Sequence, residues 1–424
     1  MKRYDKYKER GIPWIGEIPE HWEVRMLSQL SQEYFVSNKD IKHQNLLSLS
    51  YGRIIQKDIN TAEGLLPAAY DTYQVIRKGN IVLRLTDLQN DQKSLRVGLS
   101  TQEGIITSAY LTLATRSNVN PKYLYFSLHT ADIKKVFYGM GSGLRQNLNW
   151  KELRKLLLPL PPLAKQEAIV AYLEEKVAQM DNLVAKQEAQ IAYLQELKQA
   201  IIARAVTQGL DPQAPLRPSG IPWIGAIPNH WKVRMLSQLS QEYFVSNKDI
   251  KHQNLLSLSY GRIIQRDINT AEGLLPASYD TYQVIRKGNI VLRLTDLQND
   301  QKSLRVGLST QEGIITSAYL TLASRSNVNP KYLYFSLHTA DIKKVFYGMG
   351  SGLRQNLNWK ELRKLLLPLP PLAEQEAIVT YVNRKTEEID HLIAMTEQEM
   401  ARVRELKQAL IADVVTGRIS VQPS

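Results

Sequence analysis

The sequence predicts an α+β protein with a pseudo-two-fold internal repeat, in which two near-identical mixed α/β domains are separated by two long antiparallel coiled-coil helices. Three observations predict this fold class. The 424 residues consist of one unit written twice, each copy begins with short β-branched runs, and each copy ends in a heptad pattern. A hydrophobic content of 43% with 22% charged residues is ordinary for a globular protein, which excludes a collagen-like or wholly disordered chain.

The repeat has a constant shift of 209 residues. GIPWIGEIPEHW at 11–22 returns as GIPWIGAIPNHW at 220–231, and LPLPPLA at 158–164 returns at 367–373. Six positions differ across 11–164, whereas the copies differ freely from Lys165, whose partner is Glu374, onward. A recent tandem duplication and a deliberate joining of two copies would both give this pattern. Each copy therefore has a nearly invariant globular part and a freer helical part.

Short alternating or β-branched runs predict strands in the globular part, and helix-start signals predict two helices. Pro121 after Asn120 opens one helix, because Pro is favoured at the first helical position. Asn149 and Glu152 have the spacing of a capping box, which opens a second, short helix. The order of the strands is not predicted. The predicted strands lie within 46–51, 73–76, 80–85 and 105–113.

The helical part of each copy follows a heptad repeat typical of a coiled coil. Polar Gln187 and Thr396 fall at core d positions and are expected to fix the register of pairing. Because the second globular domain lies between the two helices in sequence, antiparallel pairing satisfies the connectivity. A simple dimerisation helix is the alternative. The a positions are Val170, Val177, Val184, Ile191 and Lys198, then Val379, Thr386, Ile393, Met400 and Lys407; the d positions are Leu173, Met180, Gln187, Leu194 and Ile201, then Val382, Ile389, Thr396, Val403 and Leu410.

Charge is concentrated on the globular parts. The chain has 54 Lys and Arg against 41 Asp and Glu, which gives a net charge of +13 and a pI near 9.5. Residues 1–164 carry +8 and residues 210–373 carry +9, whereas both helical segments are slightly acidic. Two basic domains predict a double-headed polyanion binder, with a merely solvated basic surface as the alternative.

Several function classes are excluded or disfavoured by what the sequence lacks. No cysteine is present, which excludes disulfides, Cys-ligated zinc, iron–sulfur clusters and a thiol nucleophile. Neither a signal peptide nor an apolar run of about 18 residues is found, so we expect a cytoplasmic protein without membrane contact. GxxxxGK[ST], HExxH and GxSxG motifs are missing, which disfavours a nucleotide-dependent enzyme and predicts no catalytic or metal site. The glycines at 139–143 suit a DNA-contacting loop better than a mononucleotide site.

Polar and basic loops that follow strands are the candidate DNA-contacting segments. Arg, Lys, Gln and Asn are the side chains that grip phosphates or read guanine and adenine edges. A solvated surface is the alternative for any single residue. The candidates in the first copy are Tyr51, Arg53, Arg84, Thr86, Gln89, Asn90, Gln92, Lys93, Arg96, Ser142, Arg145, Gln146 and Asn147. Their partners in the second copy are Tyr260, Arg262, Arg293, Thr295, Gln298, Asn299, Gln301, Lys302, Arg305, Ser351, Arg354, Gln355 and Asn356.

Four segments resemble the specificity subunit of type I restriction–modification systems. They are GIPWIGEIPEHWEV, the strand GNIVLRL, the loop GSGLRQNL and above all LLLPLPPLAKQEAIV leading into a long helix. The resemblance covers the whole chain and implies a target-recognition domain at 1–164, a conserved spacer helix at 165–208, a second target-recognition domain at 209–373, and a second spacer helix with a tail at 374–424. The family's Glu in the Pro-rich signature is Lys165 in the first copy and Glu374 in the second.

The resemblance implies a non-catalytic subunit that reads double-stranded DNA, one half-site for each recognition domain. It also implies two methyltransferase subunits that bring S-adenosylmethionine, with no cofactor in this chain, and motor–nuclease subunits that complete the restriction enzyme. Family members commonly have two different recognition domains, whereas these two are nearly identical. We therefore expect an interrupted palindrome as the target. The alternative function is an autonomous two-headed DNA-binding regulator.

Overall fold

The computed structural model describes residues 3–9, 11–59, 70–91, 93–140, 147–268, 278–300, 303–349 and 356–421. The chain forms two compact units. The first unit comprises Met1–Gln187 and Glu397–Ser424, and the second unit comprises Glu188–Thr396. Each unit therefore contains one globular part and a segment of each long helix.

The globular part of the first unit is built from twelve short strands, three α-helices and one 3₁₀ helix among its described residues. They are, in chain order, β1 (Tyr7–Glu9), β2 (Glu17–Pro19), β3 (Glu23–Met26), α1 (Leu27–Leu30), β4 (Ser31–Glu33), β5 (Leu47–Ser50), β6 (Arg53–Gln56), β7 (Gln74–Ile76), β8 (Ile81–Leu83), β9 (Val97–Leu99), β10 (Gly104–Ile106), β11 (Leu111–Thr115), α2 (Pro121–Ile133), a 3₁₀ helix (Val136–Gly139), α3 (Trp150–Leu153) and β12 (Leu157–Leu160).

A four-stranded antiparallel sheet with the order β4-β11-β8-β9 forms the centre of this domain. Its strand β8 is buried on both faces, which explains its uninterrupted apolar sequence. Ile81 and Leu83 belong to the main core with α2, whereas Val82 packs in a second cluster with Leu47 and Ile76. The remaining strands form four antiparallel pairs, β1–β2, β3–β12, β5–β6 and β7–β10. Because Leu47 of β5 packs with Val82, the hairpin β5–β6 lies on the sheet face opposite α2.

Local signals correctly predicted both helix starts. The Asn120 side chain accepts hydrogen bonds from the backbone N–H groups of Lys122 and Tyr123, and Pro121 is the first residue of α2. Asn149 and Glu152 form the reciprocal capping box of α3, with distances of 3.2 and 3.3 Å. The predicted run 105–113 is instead two strands, β10 and β11, separated by a turn. Strands such as β1, β3 and β6, whose residues are exposed or half-buried, were missed because these residues form strands only through pairing.

The second unit repeats the same elements. They are β13 (Leu216–Pro218), β14 (Ala226–Pro228), β15 (Lys232–Met235), α5 (Leu236–Leu239), β16 (Ser240–Glu242), β17 (Leu256–Ser259), β18 (Arg262–Gln265), β19 (Gln283–Ile285), β20 (Ile290–Leu292), β21 (Val306–Leu308), β22 (Gly313–Ile315), β23 (Leu320–Ser324), α6 (Pro330–Ile342), a 3₁₀ helix (Val345–Gly348), α7 (Trp359–Leu362) and β24 (Leu366–Leu369). Its central sheet has the order β16-β23-β20-β21, which is the order of the first unit.

The two long helices, α4 (Leu163–Gln208) and α8 (Leu372–Val415), begin two residues before the predicted boundaries. The heptad prediction is confirmed, because every predicted a and d position is buried or half-buried. In the first unit Asp181 contacts Lys407 and Gln187 contacts Glu399, so the two helix segments run antiparallel. In the described residues, no helix is long and apolar enough to cross a membrane.

Candidate nucleic-acid interface

The hairpin β5–β6 exposes two of the candidate residues at its tip. Tyr51 and Gly52 form a two-residue turn in which both have positive φ, 45° and 77°, as in a type I′ turn. Gly52 lies against the other candidate loop, because a Cβ at this position would stand 3.0 Å from the Cβ of Leu95. The Tyr51 side chain is 77% exposed, and Arg53 is exposed as well. The fold thus brings Tyr51 and Arg53 beside the loop 84–96.

Arg96 forms the centre of the loop 84–96 and is completely buried. Its guanidinium donates hydrogen bonds to the carbonyl oxygens of Arg84, Thr86 and Asp87 at 2.8–3.2 Å, and to that of Asp91. We correct the expectation that Arg96 contacts DNA, because its donors are used inside the domain. The physical reason is that four loop carbonyls facing inward need donors, and a guanidinium has five N–H groups in a fixed fork.

Two further residues that the sequence did not single out support Arg96. Asp132 Oδ2 accepts a hydrogen bond of 2.6 Å from the Arg96 backbone N–H, and the Tyr138 hydroxyl accepts one of 3.1 Å from Arg96 Nε. Burial raises the pKa of Asp132 to about 6, although nearby Lys135 and Arg96 favour its charged form. Both residues lie at least 36 residues from Arg96 in sequence, so no local pattern could have identified them.

The rim of the loop carries the exposed candidates. Arg84 is half-buried, and its Nη1 lies 3.4 Å from a carboxylate oxygen of Asp91. Hydrogen bonds to Ser94 hold the pKa of Asp91 below its usual value. Asn90 Nδ2 donates to Asp87 Oδ1 at 2.7 Å, which braces the turn. The residues whose side chains face solvent here are Thr86, Gln89, Asn90 and Lys93.

Asn147 connects the glycine-rich segment to the same surface. Its Oδ1 accepts a hydrogen bond of 2.9 Å from the backbone N–H of Asp87, and the next residue, Leu148, donates its N–H to the Leu85 carbonyl at 2.9 Å. Asn147 is exposed. The other predicted residues of this segment and of the loop lie outside the described residues: Gln92, Ser142, Arg145 and Gln146, their partners Gln301, Ser351, Arg354 and Gln355, and Lys302, the partner of Lys93.

The second unit presents the same surface. Tyr260 is 76% exposed at a turn with φ of 45°, and Arg305 is buried with the same carbonyl partners, so Arg305 is corrected for the same reason as Arg96. Arg293 lies 3.4 Å from Asp300, as Arg84 does from Asp91. Asn356 accepts from the Asp296 N–H at 2.9 Å. The other exposed candidates of this unit are Arg262, Thr295, Gln298, Asn299 and Asn356.

Each surface combines cations, amide side chains and an exposed aromatic ring on a rigid sheet. In the first unit Arg53 also lies 3.4 Å from Asp181 of α4, so it is already held near the helix. These groups can neutralise phosphates and make hydrogen bonds to base edges, but they contain no nucleophile–base pair. Within the described ranges, no group of three or more His, Asp or Glu residues could hold a metal ion. The arrangement is therefore suited to recognition.

The sequence matches a known family twice. The profile described as "Type I restriction modification DNA specificity domain" matches residues 68–193 and 279–399. The chain is 24% identical over 437 aligned residues to a putative type I restriction enzyme MjaX specificity subunit of Methanocaldococcus jannaschii, with 98% of each chain covered. It is 23% identical to the MjaVIII specificity subunit of the same organism, with 76% of each chain covered.

Solved structures give the same result for the fold. One chain, described by the words "Structural basis underlying complex assembly and conformational transition of the type I R-M system", superposes with a TM-score of 0.66. The superposition covers 95% of this chain and 99% of the other at 16% identity. At this identity the similarity establishes the fold.

Proposed function

Because the chain belongs to the type I restriction–modification DNA specificity family and is a DNA-recognition subunit, we propose that it reads an interrupted palindrome. The observation that carries this proposal is that the same recognition surface is built twice. Residue identities and hydrogen-bond distances around Arg96 and Arg305 agree between the units. Identical surfaces bind identical half-sites.

The symmetry of DNA turns two identical half-sites into a palindrome. Within each unit the two helix segments run antiparallel, and antiparallel pairing of two similar helices has a two-fold axis as its natural symmetry. Duplex DNA has two-fold axes perpendicular to its length, so domains related by such an axis read the same bases on opposite strands. The proposed target has a fixed, unread gap between its half-sites, and the length of this gap would depend on the length of the helices.

The chain is proposed to act without catalysis of its own, in a complex in the cytoplasm. Two methyltransferase subunits would bring S-adenosylmethionine and transfer the methyl group, and motor–nuclease subunits would complete the restriction enzyme. The described residues of the candidate surface contain no catalytic constellation, which supports this division of labour, as does the specificity-subunit description of the relatives. Methyl transfer from labelled S-adenosylmethionine by the pure chain alone would contradict it.

Single-molecule methylation mapping tests the proposed target. DNA from cells that express this chain with its methyltransferase subunits should be methylated on both strands at one interrupted palindrome. Two unrelated half-sites or a direct repeat would overturn the proposal. An autonomous regulator would instead bind DNA but fail to assemble with the methyltransferase subunits.

A pair of matched single variants sharpens this test. Arg84→Gln should relax sequence discrimination at one half-site, and Arg293→Gln should relax it at the other, two-fold-related half-site. Each substitution removes one cation from one unit. If the Arg reads guanine, discrimination at that position should fall by roughly 1–3 kcal/mol. If it grips a phosphate, binding to all sequences should weaken and the salt dependence should fall by about one counterion. The double variant should relax both halves equally.

A further inference from the structure

The turn residue Tyr51 occupies a conformation that its side chain disfavours. Type I′ turns need positive φ at both central residues and strongly prefer Asn-Gly or Gly-Gly, since a bulky side chain is strained there. Tyr51 has φ of 45° in a turn whose second residue is the favourable Gly52. By contrast Asp87, which also has positive φ, is a residue type that tolerates this region, and its carboxylate accepts a hydrogen bond from Asn90.

Burial does not compensate for this strain. Tyr51 is 77% exposed and Tyr260 is 76% exposed, the highest values among the large hydrophobic residues that the structure describes. An aromatic ring that is exposed to solvent gains none of the free energy that its burial would provide. The same strained and exposed tyrosine stands at the same turn in both units. A residue that is unfavourable for folding in two ways points to a role in binding.

The surroundings of the ring indicate which partner it meets. Arg53, two residues further on, is exposed, and the neighbouring loop 84–96 presents Lys93 and the amides of Gln89 and Asn90 to solvent. The domain as a whole is strongly basic, +8 over residues 1–164. A rigid ring that projects from a hairpin tip among cations and amides is suited to meeting the flat faces of nucleic-acid bases.

We propose that Tyr51 and Tyr260 are stacking wedges, each of which inserts its ring at one base step of its half-site and partly unstacks that step. The proposal rests on the proposed DNA-recognition function and adds a deformation step to it. The hairpin is held by the packing of Gly52 on Leu95, so the ring enters at a fixed distance from the reading loop. Recognition then depends on how easily the wedged step opens, as well as on hydrogen bonds to base edges.

The test uses the full-length chain and a duplex carrying the target found by methylation mapping, with 2-aminopurine placed in turn at each step of both half-sites. Binding of the wild type should change the fluorescence at one step in each half-site. Tyr51→Asn with Tyr260→Asn should abolish that change and weaken target binding by roughly tenfold or more. The same variant should unfold at a temperature roughly 2 °C higher or more, because Asn-Gly relieves the strained turn.

Three comparison variants separate ring stacking from a hydroxyl contact, from charge and from general aromatic exposure. Tyr51→Phe with Tyr260→Phe keeps the rings and should restore both the fluorescence change and the affinity. Arg53→Gln with Arg262→Gln should lower the salt dependence of binding, which the Asn variant should leave unchanged. Phe35→Ser with Phe244→Ser removes another exposed aromatic pair, each 60% exposed, and should leave binding unchanged.

Two results would overturn the proposal. One is an Asn variant that binds the target as tightly as the wild type with the fluorescence change intact; the other is a Phe variant that loses as much affinity as the Asn variant, since a hydroxyl contact would then be responsible. Tyr51→Gly with Tyr260→Gly, which is also compatible with the turn, repeats the measurement if the Asn variant folds poorly. A wild type that does not prefer the mapped duplex over a scrambled one would instead overturn the proposed function.

Discussion

The candidate DNA-contacting surfaces of the two units are nearly identical, whereas the starts of their long helices differ. In the second unit Glu374 accepts a hydrogen bond of 3.0 Å from the indole N–H of Trp231 and lies 2.8 Å from His230 Nε2. In the first unit the equivalent residue is Lys165, which donates to the carbonyl of Val421 and lies 5.3 Å from the centre of the Tyr4 ring.

The difference has a physical consequence for the buried tryptophans. Trp22 is as buried as Trp231, but its indole N–H has no hydrogen-bond partner among the described residues. An unpaired buried donor costs free energy, so the first unit loses stability at Trp22 and gains an anchor for the chain segment around Val421. The two units thus share one candidate DNA-contacting surface but differ at the helix start, where Glu374 pairs with a buried tryptophan and Lys165 binds the terminal segment.

The largest expected effect should be equal in the two units. Arg96→Ala leaves four inward carbonyls of the loop 84–96 without their donor, and Arg305→Ala does the same in the second unit. Each substitution should lower the free energy of unfolding by about 3 kcal/mol or more, measured by denaturant titration. Arg96→Lys is the control that keeps the charge but loses the fork. A loss under about 1 kcal/mol, or a large inequality between units, would contradict the shared role.

The second prediction concerns pH and the buried groups of α2 and α6. Burial raises the pKa of Asp132 and Asp341 from 3.8 to about 6, so their contribution to stability is full below pH 3.8 and is lost as the pH rises through 6. Burial lowers the pKa of His129 and His338 from 6.5 to about 4, so their contribution is full above pH 6.5 and is lost as the pH falls through 4. Between about pH 4 and 6, a falling pH therefore raises the aspartate contribution to stability and lowers the histidine contribution.

Without the aspartates, the pH dependence of stability should come from the buried histidines alone. Asp132→Asn with Asp341→Asn keeps an acceptor for the N–H groups of Arg96 and Arg305 but cannot ionise. As the pH falls from 6.5 to 4, the free energy of unfolding of this variant should fall by about 2 kcal/mol in each of the two structural units, whereas that of the wild type should change little. Denaturant titrations at several pH values measure both curves. Parallel curves for variant and wild type would show that the aspartates do not offset the histidines.

The third prediction concerns Glu374 and Lys165, the residues that differ at the helix starts. Glu374→Ala should destabilise the second unit by about 1–2 kcal/mol, because it leaves the Trp231 N–H unpaired, whereas Lys165→Ala should cost less than about 1 kcal/mol. Lys165→Glu should stabilise the first unit by about 1 kcal/mol, since the introduced carboxylate can accept from Trp22. Thermal unfolding measures the stability of each variant, and tryptophan fluorescence reports on the surroundings of Trp22 and Trp231. A Lys165→Glu variant less stable than the wild type would show that anchoring of the terminal segment matters more.

The smallest effect is expected at the helix ion pairs, which the two units share. Asp181 lies 2.6 Å from Lys407 in the first unit, and Asp390 lies 2.6 Å from Lys198 in the second. Because these pairs are partly exposed, double-mutant cycles should give coupling energies of about 0.3–1 kcal/mol that decline in high salt. Equal couplings would extend the likeness of the units to the helices. A coupling above about 2 kcal/mol in only one unit would break it.

Local patterns determined much of the fold. The repeat, the heptads, the apolar strand β8 and the two capped helix starts were readable because each depends on residues within one turn or one strand. Helix starts and heptads are set by neighbours three to seven positions away, which the sequence displays directly. The two-domain repeat and the long helices were therefore predictable, whereas the DNA-contacting role of the loops stays a prediction.

The tertiary structure alone decided which residues of the candidate loops are buried and which are exposed. Arg96 and Arg84 belong to the same basic loop, yet one is buried and holds the backbone while the other is half-buried at the rim. The left-handed turn at Tyr51 and the support from Asp132 are likewise invisible in the sequence. The reason is physical: a guanidinium binds whichever acceptors lie within about 3 Å, and folding brings those acceptors from distant parts of the chain.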